Sequence, residues 1–209
     1  MINAAEKAFL EKGYHAARMD DVARSAGMSK KTIYQVFSSK EELFEALVVQ
    51  RLAPLHCWVQ PDDRPVVDVL CEILLRCAEF LLSPPQIAIL RLIMAEYSRS
   101  PELGQIFQRE GAGRATSALE HYLSSLEGDG HRLIRDPHEA AKMLLGMSLC
   151  TVHWEMMLGI RQTISRVALE RRVRWSVEIF LNGIRSAETV LYSVEDKNSF
   201  DSLFMGGEP

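Results

Sequence analysis

Apolar residues recur along this chain at intervals of three and four, and few segments alternate over strand length, so the pattern predicts an all-helical protein. Residues 3–12 gather Ala5, Ala8 and Phe9 on one face and stop at Gly13. Residues 19–26 make a short second helix ending at Gly27, which suits the left-handed position after a helix. Ser29 can cap a third helix over 30–37. Ser39 with Glu42 forms a capping box for a fourth, with Leu43, Phe44 and Leu47 inward. Two short helices joined by a Gly-x-Ser turn, with a supporting helix on each side, make a helix-turn-helix.

The pattern continues beyond a break at Pro54 and "QPDDRP". Pro65 opens a helix carrying Val66, Val69, Leu70, Ile73, Leu74, Cys77, Phe80 and Leu81, which ends at "SPP". Residues 86–98 form a nearly all-apolar helix, expected to be buried. Ser100-Pro101 opens a helix over 101–127, which Gly111 and Gly113 kink or split. Asp136-Pro137 with Glu139 opens an eighth helix that stops at Gly159, and a ninth runs from about 165 to 190. The expected architecture is all-α with about nine helices: a three-helix helix-turn-helix domain over 1–47, a larger helical ligand-binding and dimerisation domain over 48–195, and a mobile tail over 196–209.

On the third helix, Ile33, Val36 and Phe37 fall on one side at about 100° per residue, facing Val22 and Ala23. Lys30, Lys31, Thr32, Tyr34 and Gln35 fall on the other, with no carboxylate among them. Charge supports this reading locally. The chain carries a net charge of -4, yet the window from Val22 to Lys40 holds Arg24, Lys30, Lys31 and Lys40 and no acid. Such a face can enter the major groove, with polar side chains reaching base edges and lysines meeting phosphates. Lys40, at the start of the fourth helix, sits where backbone N–H groups also attract phosphate. The alternative is a helical hairpin whose outer face is merely basic and solvated.

The stretch "AAEKAFLEKGYHAARMDDVARSAGMSKKTIYQVFSSKEELFEAL", residues 4–47, resembles the DNA-binding domain of the TetR family of bacterial transcriptional regulators. It has the aromatic-x-x-x-Gly-Tyr end of helix 1, the Asp-Val-Ala second helix and the Gly-Met-Ser turn. The Thr-Ile-Tyr recognition helix and the Phe-x-x-Lys-Glu entry to helix 4 follow. The resemblance implies that Lys30, Lys31, Thr32, Tyr34 and Gln35 face DNA, with Ser29 at the helix start and Tyr34 and Lys40 on the phosphate backbone. Where many members place a capping Ser or Thr, this chain has Arg18. That loses a cap worth ~1 kcal/mol in typical hosts and offers a further phosphate contact instead. The sequence begins almost at helix 1, so minor-groove contacts by a basic arm would require residues ahead of Met1. The stretch "LRLIMAEYSRSPELGQIF" resembles the AefR-like branch of the family.

The eighth and ninth helices carry apolar residues on two sides, which fits either burial or a partner subunit. Met143, Met147, Cys150, Trp154 and Leu158 share one sector of the eighth; Leu145, Leu149, Val152 and Met156 share another. On the ninth, Leu169, Val173, Val177, Phe180 and Ile184 line one face, and Ala168, Trp175, Ile179 and Ser186 a second. The resemblance implies a homodimer through these two helices, with Leu149, Val152, Met156, Trp175, Ile179 and Phe180 at the contact. A thicker monomeric core is the competing reading. Methionine offers adaptable surface for apolar ligands, so Met94, Met143 and Met147, with Tyr97, Phe107, Cys150 and Trp154, are expected to line an effector site.

Other chemistry finds little support. Cys150 and His153 are three apart without a visible third ligand, so no metal or other cofactor is expected. No Gly-rich phosphate loop, G-x-S-x-G elbow or H-E-x-x-H occurs, and the expectation is a regulator rather than an enzyme. No apolar run approaches the ~18 residues of a membrane span. Cys57, Cys71, Cys77 and Cys150 form no C-x-x-C pair and read as reduced thiols of a cytoplasmic protein. The expected partners are an operator duplex, a small apolar or amphipathic effector and a second copy of the chain. The expected function is a repressor released from a palindromic operator. The alternatives are a DNA-binding or interaction protein of this fold without a switch, and an all-helical enzyme with a nonlocal site.

Overall fold

The computed structural model describes residues 1–52, 63–126, 134 and 136–186. The expected break at Pro54, the first half of "QPDDRP" (60–62), Cys57, the expected end of the ninth helix over 187–190 and the expected tail over 196–209 lie outside the described residues. Among those residues there are ten α-helices, one turn of π-helix and no strand. None of these helices is long and apolar enough to cross a membrane.

The first four helices are α1 (Ile2–Lys12), α2 (Met19–Ser25), α3 (Lys30–Val36) and α4 (Lys40–Leu52). Gly13 (φ 80°) ends α1 and Gly27 (φ 63°) ends the α2 turn, both in backbone that a side chain would strain. The core of this head is built on Phe9, Tyr14 and Phe44, whose ring centroids lie 5.3, 5.4 and 6.0 Å apart. Ile33 of α3 and Val22 and Ala23 of α2 pack into the same core. Val36, expected to face inward, is instead exposed, and Phe37 at the end of α3 packs half-buried on the core in its place.

The larger part comprises α5 (Val66–Leu81), α6 (Pro84–Glu96), α7 (Glu102–Phe107), α8 (Gly113–Ser125), α9 (Pro137–Met157) and α10 (Arg166–Ser186). The π-turn, Gln108–Ala112, divides the helix expected over 101–127. α6 starts earlier than expected, because Pro84 and Pro85 occupy its first turn, where a missing N–H costs nothing. Asp136 caps α9, its carboxylate accepting the Glu139 N–H at 3.1 Å. The second core joins α5, α8, α9 and α10 through residues such as Ile73, Leu119, Leu144, Val152 and Val173.

α6 serves both cores. Ile87 belongs to the second, whereas Ile89, Leu92 and Ile93 complete the first, with Leu103 and Ile106 of α7 beside them. Polar contacts fix the same seam. Gln86 donates to the Arg51 carbonyl at 3.0 Å, and Arg109 of the π-turn pairs with Glu45 of α4 at 2.8 Å. Arg51 also pairs with Glu6 of α1. α6, expected to be buried, is therefore two-faced, with Met94 exposed near its end.

Ile89→Ala, a truncation on α6, is expected to cost about 2–5 kcal/mol in urea unfolding and to weaken the head and the larger part together. Separate transitions for the two parts, with only one shifted, would count against a shared core.

Candidate nucleic-acid interface

The exposed surface of α3 is built by its cap. Ser29 accepts the Thr32 N–H at 3.1 Å, and the two hydroxyls lie 2.8 Å apart. With Ile33 fully buried, helical geometry sends Lys30, Lys31, Tyr34 and Gln35 outward, and all four are exposed. Lys31 and Gln35 make no hydrogen bond or ion pair among the described residues. Tyr34 is 45% exposed, on the same outward face as Lys31 and Gln35.

Beside α3 lies a groove of ≈ 380 Å³ lined by Arg18, Asp20, Lys30, Tyr34 and Lys40, among others. It brings together four residues expected to meet DNA and adds Asp20, which the sequence reading of α3 alone did not include. The Lys30 ammonium lies 2.9 Å from one Asp20 oxygen and 3.1 Å from the other, and 5.8 Å from the Tyr34 ring centroid. The hydrogen bond to Asp20 raises the Lys30 pKa.

Two expected residues take different roles. Lys40 was expected on phosphate, but its ammonium donates to the carbonyls of Tyr14 (2.9 Å), His15 (3.2 Å) and Ala17 (3.3 Å) and lies 4.4 Å from the Tyr14 ring centroid. Its three donors are thereby committed to the fold, tying the α1–α2 loop to α4. Arg18 does not leave α2 uncapped. The Asp21 carboxylate accepts the Arg18 N–H at 3.0 Å, the half of a capping box that needs no hydroxyl. Asp21 also accepts from Lys12 at 2.6 Å; that bond first, then the Arg18 N–H, holds its pKa below the ordinary carboxylate range. The Arg18 guanidinium remains exposed at the groove.

In the larger part the two stripes of α9 exchange places. Leu149, Val152 and Met156, expected at a subunit contact, are buried in the chain's own core. Phe180 is only partly buried and packs on that core as well. Met143, Met147, Cys150 and Trp154, expected around an effector, face outward, and Trp154 is 52% exposed. The packing of α9 against α8 and α10 decides this, since an apolar-all-round helix does not by itself say which side meets its neighbours. On α10, Trp175 (67% exposed) and Ile179 face outward, as a partner contact requires. Arg172 seams the two helices by donating to the Ser148 carbonyl at 2.7 Å. Of the other expected effector residues, Met94 and Tyr97 are exposed, and Phe107 packs half-buried on the head core.

An all-helical chain that presents a capped, cation-rich helix from a helix-turn-helix, on a larger helical body, belongs to the class of DNA-binding regulators. The family comparisons make this specific. Residues 1–47 match the model for bacterial regulatory proteins of the tetR family, and residues 68–183 match the AefR-like transcriptional repressor C-terminal domain. This chain belongs to the TetR family of DNA-binding transcriptional regulators. A TetR-family regulator from Mesorhizobium loti MAFF303099 is 29% identical, with a TM-score of 0.74 over 87% of this chain and 93% of its own. The flavonoid-responsive regulator FrrA is 28% identical, with a TM-score of 0.76 and the same coverage, 87% and 93%. The transcriptional activator FasR of Mycolicibacterium smegmatis is 41% identical over 68 residues, which is 32% of this chain and 31% of FasR. The chain spans less than two thirds of the length of the curated relatives it matches.

Tyr34→Ala is expected to weaken binding to a selected duplex by ~1–3 kcal/mol while leaving the circular dichroism spectrum and melting temperature close to wild type. Lys40→Met should do the reverse first, lowering thermal stability because three loop carbonyls lose their donor. Full affinity in the tyrosine variant would show that α3 does not carry recognition.

Proposed function

We propose that the protein is a dimeric repressor that holds a near-palindromic operator and releases it on binding a small apolar or amphipathic effector. The observation that carries the DNA-binding part is the outward face of α3, where Lys31, Tyr34 and Gln35 are exposed and Lys31 and Gln35 make no side-chain hydrogen bond or ion pair among the described residues. The repressor reading follows the AefR-like C-terminal segment, and the named activity of FasR makes activation the competing outcome.

Dimerisation is supported by the outward stripe of Met143, Met147, Trp154, Trp175 and Ile179. These side chains stand on two helices that pack against each other, and an apolar surface shared by such a pair is suited to a second copy of itself. Two heads related by a two-fold axis then meet half-sites spaced by about one helical turn or a multiple of it.

The effector reading moves with the α9 correction. A cleft of ≈ 310 Å³ lies between Pro84, Ile87, Ala88 and Arg91 of α6 and Met156, Gly159 and Arg161 at the end of α9. Its α6 wall is the opposite side of the helix that supplies Ile89, Leu92 and Ile93 to the head core. A ligand there could move the head by moving one helix, and the flavonoid response named for FrrA supports a small organic effector. A hundredfold release needs about 2.7 kcal/mol of differential affinity between the two arrangements.

Trp154→Glu and Trp175→Glu should give helical monomers by light scattering, with operator affinity reduced, whereas Leu149→Glu should lose helical signal because it buries a charge. A wild-type chain that is monomeric at micromolar concentration and still binds tightly would refute the dimer. An operator titration against flavonoids and other apolar compounds tests the switch, and Ala88→Glu should remove any response while sparing DNA binding. In vitro transcription with the selected operator distinguishes repression from activation.

A further inference from the structure

The two neighbouring acids at the start of α2 do different work. Asp21 is a structural group: it accepts the Arg18 N–H and the Lys12 ammonium. Asp20 takes no part in capping. Its contact is with Lys30, across the groove at the edge of α3, through both carboxylate oxygens. It is also the one acid lining that groove, whose other charged walls include Arg18, Lys30 and Lys40. Lys40 is already committed to three carbonyls. The cations of the groove still able to meet a phosphate are therefore Arg18 and Lys30, and Asp20 occupies Lys30.

We propose that Asp20 is a built-in counterion that holds Lys30 away from the DNA backbone and so sets the strength and salt response of binding. The inference rests on the operator-binding reading above. A phosphate entering the groove meets two options, each of which weakens the complex. Lys30 can stay on Asp20, in which case it displaces no DNA counterion. Alternatively it transfers to the phosphate and leaves a bare carboxylate beside a polyanion. The side chains of the pair are 61% and 50% exposed, so water and salt screen it, and its hold on Lys30 is a modest restraint, not a lock. Asp20 thus acts through Lys30, as a positioning residue, and weakens the complex without altering the α3 groups that point at bases.

The test is fluorescence anisotropy with a duplex selected by the wild-type protein and with a random-sequence duplex, between about 0.05 and 0.3 M salt. Asp20→Asn should bind both duplexes about two- to fivefold more tightly per head at the low-salt end, with the melting temperature close to wild type. The slope of log affinity against log salt should become steeper by about 0.9 per head, as one more phosphate is neutralised. Asp20→Glu, which keeps the charge, should stay near wild type. Asp21→Asn should lose thermal stability without tightening the complex. The decisive comparison is Asp20→Asn in a Lys30→Met background, where the gain should vanish. Persistence of the full gain there would mean that Asp20 merely repels DNA, and would overturn the proposal. So would a folded Asp20→Asn variant with unchanged affinity and slope, when the wild type binds. A wild type that binds no duplex at all would overturn the operator reading and this inference with it.

Discussion

The head shares its core with the larger part. A segment of about fifty residues buries little apolar surface and is marginally stable alone, and here it has two short helices and two longer ones with which to do so. The structure resolves this by letting α6 and α7 complete the core around Phe9, Tyr14 and Phe44. α4 runs five residues past the expected boundary at 47, ending at Leu52, and its buried Leu47 and Val48 face that shared region. The placement of α3 therefore depends on apolar packing from the larger part, reinforced by Gln86 and Arg109 at the seam.

Within the head, charged groups divide into those that hold the fold and those left for a partner. Lys40 and Asp21 are spent inside: one ties a loop by its three carbonyls, the other caps a helix. Each satisfies backbone groups that would otherwise lack a partner. Lys31, Gln35 and the Arg18 guanidinium remain outward. Lys30 stands between the two sets because its carboxylate partner is exposed and belongs to another helix. Charge counts along the sequence cannot make this division, since each lysine contributes the same unit wherever its ammonium ends up.

The order of helices, the helix-turn-helix and the burial of Ala5, Ala8, Phe9, Ile33, Leu43 and Leu47 were legible because short helices with strong caps leave local signals. The outward side of α3 was legible for the same reason. What escaped was nonlocal. The Lys30–Asp20 contact joins residues ten apart across a turn, and the role of Lys40 depends on where a loop from the other end of the domain passes. α9 escaped differently. Its two apolar stripes are nearly equivalent as sequence, so only its packing against α8 and α10 selects Leu149, Val152 and Met156 for the core and leaves Met147 and Trp154 outside. The π-turn was foreshadowed by Gly111 and Gly113, but its pairing of Arg109 with Glu45 was not.

The shared core also limits how any switch in this chain can work. A ligand shifts an equilibrium only by its differential affinity for the two arrangements, so its site must adjoin something that differs between them. The outward stripe of α9 and α10 adjoins the body's own core and reaches the head only through intervening helices. α6 adjoins both, with Ile87 in one core and Ile89, Leu92 and Ile93 in the other. Close-packed interiors resist continuous deformation, so a displacement of α6 by its own cleft would have to be answered by repacking around α4. Such repacking would turn the head, and α3 with it, relative to the larger part, while the internal geometry of the head stays fixed by Lys40 and the aromatic cluster. The same few apolar side chains that make the head stable thus make its orientation depend on α6.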